Sequence, residues 1–76
     1  MKTLDDLQNA AIAYETAKAR REQTQEMAEA MRYAGVAVYA IMPQNRSTYR
    51  KPHWRFQYYV DGKKATASVA YRRITP

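Results

Sequence analysis

Few residues of this 76-residue chain have the type and spacing that reaction chemistry needs. His53 is the sole histidine and there is no cysteine, so the usual ligand sets for zinc and any disulfide framework are excluded for a single chain. The carboxylates Asp5, Asp6, Glu15, Glu22, Glu26 and Glu29 all fall in the first 34 residues. Asp61 alone follows them. A general base needs a partner that orients it, and His53 has no carboxylate near it in sequence. Ser47, Thr48, Thr66 and Ser68 likewise have no activating neighbour. Gly35 and Gly62 are too few and too far apart for a phosphate-cradling glycine loop. These absences predict a binding protein with no enzymatic activity, no cofactor and no metal.

What the chain does concentrate is positive charge. The formal net charge is +6. From Met1 to Ala34 five basic residues stand against six acidic ones, a net of −1. From Gly35 to Pro76 eight basic residues stand against Asp61, a net of +7. Charge placed this way attracts acidic partners and raises association rates. The segment PQNRSTYRKP, 43–52, carries Arg46, Tyr49, Arg50 and Lys51 without an acid, and a loop of this length is a natural place for contact residues.

Those residues must be positioned by a scaffold, and its first half reads as helix. Thr3 to Tyr33 holds no Gly or Pro and is rich in Ala, Glu, Gln, Arg and Met. Thr3 suits the N-cap, Asp5 and Asp6 suit the first turn, and Gly35 is a stop signal. At 100° per residue, Leu7, Ala10, Ala13, Tyr14, Ala17, Ala28 and Met31 form one stripe with Met27 at its margin. Lys18 to Glu26 interrupts it. Either one long helix overhangs the domain or two helices meet near Arg21 to Thr24. An overhang would be covered first by a homodimer through the helix, or else by a partner on its free end. The cluster Lys18, Arg20, Arg21 alternates with acids and reads as a solvated surface.

The second half reads as three strands. Val36 to Met42 is β-branched and aromatic, and either of its faces could be the buried one. His53 to Val60 alternates, with Trp54, Phe56, Tyr58 and Val60 on the core side. Asp61-Gly62 is a two-residue hairpin turn, and Lys63 to Ile74 is the expected return strand. In that register Val60 pairs with Lys63, Tyr58 with Ala65, Phe56 with Ala67 and Trp54 with Val69. The opposite face would then gather Arg55, Gln57, Tyr59, Lys64, Thr66, Ser68 and Arg72. The expected fold is α+β: a single domain, 1–76, with a long N-terminal helix, kinked or not near residues 21–24, on a three-stranded antiparallel sheet in the order α-β-β-β.

Lys and Arg displace counterions from phosphates, and exposed rings can stack on unpaired bases. DNA or RNA is therefore the first expected partner, held by Arg46, Tyr49, Arg50, Lys51, Arg55, Tyr59, Lys64 and Arg72, with Tyr39 a further ring to consider. The stretch HWRFQYYVDGKK, His53 to Lys64, is similar over about a dozen residues to the second strand and turn of the double-stranded-RNA-binding domain. The chain departs from that family by an expected lack of its second helix and of its lysine-rich phosphate-gripping motif between Ala65 and Arg73. Small size, a basic sheet and missing catalytic groups also resemble bacteriophage accessory proteins. That likeness implies the other expectation, an inhibitor or adaptor docking on an acidic host protein of a defence or nucleic-acid-handling complex. Without a leader-like segment near the amino terminus or an apolar run of about 20 residues, the chain is expected to be soluble and cytoplasmic, with no membrane partner.

Overall fold

The computed structural model describes residues 2–42 and 53–75. Helix α1 spans Leu4–Ala19 and begins at a capping box. The Thr3 hydroxyl accepts from the Asp6 backbone N–H, and the Asp6 carboxylate accepts from that of Thr3. Hydrogen bonding from Thr3, its backbone N–H first and its side chain second, holds the Asp6 carboxyl below its ordinary pKa. The helix ends where Arg21 turns to φ 57°, and the chain restarts at Thr24, which caps α2 (Gln25–Ala30).

The interrupted stripe is thus a real break, at the place where the apolar pattern fails. At 16 residues α1 is roughly 24 Å long. That is close to the roughly 20 Å of a six-residue strand. Among the described residues the length mismatch behind the expected helix-mediated dimer is gone. The break also rotates the buried face. Leu7, Ala11 and Ala17 are buried in α1, whereas Ala13 is exposed. Continuing one helical phase through Ala28 and Met31 puts Ala13 in the stripe and leaves Ala11 out.

Four strands follow where three are expected. β1 (Arg32–Tyr33) and β2 (Val36–Ile41) form a hairpin across Ala34-Gly35, and β3 (Arg55–Val60) and β4 (Lys63–Ala65) form another across Asp61-Gly62. All four turn residues have positive φ: 52° and 82° in the first turn, 51° and 83° in the second. This is the type I′ geometry that matches strand twist. The sheet is antiparallel in the order β1-β2-β3-β4, with six residue pairs joining β2 to β3 from Val36↔Val60 to Ile41↔Arg55.

The expected return strand to Ile74 is corrected by the structure. Only Lys63–Ala65 is strand. Thr66 then caps α3 (Ala67–Ile74), its hydroxyl accepting from the Val69 N–H. A twelve-residue strand would have outrun its six-residue partner β3. As a helix, the same segment brings Ala70 and Ile74, one turn apart, into the core. Val60↔Lys63 and Tyr58↔Ala65 pair as expected, but Phe56 with Ala67 and Trp54 with Val69 do not. The chain thus carries a helix after the sheet where none was expected.

The core settles which face of β2 is inside. Val36, Val38 and Ala40 are buried with Leu7, Ala11, Met31, Ala70 and Ile74, so α1 and α3 lie on one side of the sheet. Trp54, Phe56, Tyr58 and Val60 pack against that cluster, as the alternation requires. The Gln8 Nε2 donates to the Tyr58 hydroxyl at 2.8 Å, joining α1 to β3. The two turns also meet: the Asp61 N–H donates to the Gly35 carbonyl at 2.9 Å, and Arg73 of α3 pairs with Asp61 at 2.9 Å. No helix among the described residues is long and apolar enough to cross a membrane.

Candidate functional site

Strand alternation sends the odd residues of β2 and β3 away from the helices. The register then builds the outer face row by row. Nearest the turns, one row crosses all four strands: Arg32, Ala37, Tyr59, Lys64. The next is Tyr39 with Gln57, and the last is Ile41 with Arg55. Among the described residues three cations stand on this face, at opposite edges and one end. No carboxylate shares its three rows. On the other side of the molecule α1 carries Asp5, Asp6 and Glu15 against Lys18. The outer rows thus carry cations without acids, whereas the helix side is mixed in sign, since Arg72 and Arg73 of α3 share it with those carboxylates.

The two rings on the face touch. Tyr39 and Tyr59 lie with centroids 5.5 Å apart and planes at 84°, the edge-to-face arrangement that ring quadrupoles favour. Tyr39 is 37 % exposed, and its hydroxyl accepts a long 3.5 Å bond from Arg32. That contact raises the guanidinium pKa further, and like any guanidinium Arg32 stays charged. Ala37 is the small member of its row. The outer face therefore dips between Arg32, Tyr39 and Tyr59, within a shallow concavity of about 1000 Å³ that extends to Gly35 and Gly62 at the turns.

Of the residues expected to bind, Arg55, Tyr59 and Lys64 come together on this face. Arg72 does not join them. It is exposed on α3, on the helix side of the sheet, because the segment after Ala65 coils instead of pairing. Thr66 and Ser68 leave the face for the same reason, and Ala70 is core. Arg73 is engaged with Asp61. Arg46, Tyr49, Arg50 and Lys51 lie outside the described residues.

Sequence reasoning missed Arg32. At the end of a helix it is one more charge on a polar surface, whereas the Ala34-Gly35 hairpin delivers it to the sheet. The signal available was Gly35 two residues after Tyr33 and directly before a β-branched run. His53 is exposed just ahead of β3, and no described acid forms an ion pair with it. No family model matches the chain, and neither does any curated protein or solved structure.

Proposed function

We propose that this chain binds nucleic acid through the outer face of its sheet. The observation that supports the reading is the row Arg32–Ala37–Tyr59–Lys64 together with Arg55: cations at both edges, rings between them and no carboxylate in the rows. Phosphates take the cations, and the permanent charge and forked geometry of Arg32 and Arg55 suit phosphate oxygens. The helix side is mixed in sign, Asp5, Asp6 and Glu15 on α1 standing with Arg72 and Arg73 on α3, whereas the outer rows hold cations alone. For that reason the outer face, and not the helix side, is the surface we propose. The basic residues of 43–52 belong to the same reading on charge alone.

Fluorescence anisotropy with labelled oligonucleotides across a salt series tests it. Affinity should fall linearly in log–log form. Replacing Arg55 and Lys64 together by Ala should reduce the slope by roughly 1.4 to 1.8, about 0.7 to 0.9 for each phosphate that is no longer neutralised. Absence of binding to every DNA and RNA probe at low salt overturns the proposal. A second reading, docking on an acidic protein, is favoured by Ile41 and Met42, which are 40 % and 44 % exposed at the Arg55 end of the sheet. A defined protein that co-purifies after nuclease treatment, from a chain that binds no oligonucleotide, would establish it instead. Oligomeric state and cellular compartment are separate questions, answered by solution mass and by imaging.

A further inference from the structure

We infer that the dip over Ala37 seats one unpaired nucleobase, so that the ligand is a single strand. The inference rests on the nucleic-acid reading and adds to it the form of the ligand and the position of one base.

The geometry is that of a corner. Because Tyr39 and Tyr59 stand at 84° to one another, they cannot both offer parallel faces to successive bases. A base lying flat on one ring meets the other as a wall. The floor beneath is a methyl group, and Ala37 is the smallest side chain in the three outer rows. Any larger residue there would fill the space between Arg32 and Tyr59. Arg32 and Lys64 flank the corner from β1 and β4, three inter-strand spacings or about 14 Å apart. A backbone crossing the sheet between them would have a phosphate near each cation and a base over Ala37. Bases in a duplex are stacked and paired, so none of them can enter. The corner therefore converts a charge-driven surface into one that distinguishes strands with free bases, since stacking on an aromatic ring is tolerant of sequence.

The test separates base from phosphate. A labelled oligothymidylate is compared with an oligonucleotide of equal length and charge whose central positions are abasic, with an oligouridylate and a DNA duplex as further arms. The single strand should bind about tenfold or more tighter than the abasic strand at equal salt. Ala37→Leu should reduce thymidylate affinity to the abasic level, leave abasic affinity and the salt slope unchanged, and keep the wild-type circular dichroism spectrum. Tyr59→Leu should act in the same direction. The uridylate differs by its 2′-OH and by the missing 5-methyl group, and equal affinity for both polymers also supports a corner that takes any unpaired base by its ring face.

Equal affinity for thymidylate and abasic strands, or a neutral Ala37→Leu, overturns the base corner while the phosphate-binding face stands. A duplex that binds as tightly as the single strand overturns it likewise. If no probe binds at low salt, the nucleic-acid reading itself falls.

Discussion

At the residue scale, the two hairpin turns show what a single side chain decides. Asp61-Gly62 and Ala34-Gly35 adopt the same backbone, yet only the first uses residues that tolerate positive φ at both positions. Ala34 at φ 52° is strained by its Cβ. Ala34→Asn should therefore stabilise the fold, by up to about 1 kcal/mol, read as a higher melting temperature. The neighbouring change has the opposite sign. A Cβ on Gly35 would stand 2.6 Å from Asp61 Oδ1 and 3.3 Å from the Arg73 guanidinium, at φ +82°. Gly35→Ala should cost more than about 1 kcal/mol and loosen the Asp61–Arg73 pair. Chemical denaturation of both variants checks the pair of signs. The same residues explain what was legible. Asp-Gly announces a hairpin, whereas Ala-Gly does not, so β1 and with it Arg32 read as the end of a helix.

At the element scale, α3 is where local pattern and tertiary context disagree. Ala65, Ala67, Val69 and Tyr71 alternate as a strand does, and Ala70 and Ile74 repeat as a helix does. Over so short a run periodicity cannot choose. Packing chooses, because a helix buries Ala70 and Ile74 against Leu7 and the sheet, whereas a strand beyond Ala67 would find almost no partner. By contrast β3 alternates without ambiguity, and its core residues were legible for that reason, although only its pairings nearest the Asp61-Gly62 turn form as expected. The break after α1 was legible only as one of two alternatives, since Lys18 to Glu26 offers nothing large and apolar to bury but also nothing that forbids a continuous helix. The burial of Val36, Val38 and Ala40 was not, as both faces of β2 are apolar enough to be core.

An eight-residue helix is marginal in isolation, so its cap matters. Thr66→Ala removes the acceptor for the Val69 N–H and should destabilise the fold by roughly 1 kcal/mol. Hydrogen exchange should locate the loss at residues 67–74, with the β2–β3 ladder least affected. Uniform loss across the chain would show that α3 is integral to a single cooperative unit.

At the scale of the whole molecule, charge separates by side. The acids of α1 lie over one face of the sheet, and Arg32, Arg55 and Lys64 lie on the other. Sequence counting located the excess in the second half of the chain, but the physical boundary is the plane of the sheet. Arg32 from the acidic half stands on the basic side, and Arg72 from the basic half stands on the helix side. A polyanion approaching this molecule in solution is therefore drawn first to the outer face, where cations stand without acids, and less to the helix side, where both signs mix.

The ladder between β2 and β3 has a separate consequence for how the chain could be divided. It is the seam between two sequence-contiguous pieces, residues 2–42 with α1, α2 and the first hairpin, and residues 53–75 with the second hairpin and α3. Each piece closes its own turn, and each leaves apolar surface that the other covers: Val36, Val38 and Leu7 on one side, Phe56, Ala70 and Ile74 on the other. Separate peptides ending and beginning within 43–52 should accordingly recombine into the native sheet when mixed. A gain of ellipticity over the sum of the two peptides, saturating at one-to-one, would make the protein a pair of complementing halves that report on one another's presence.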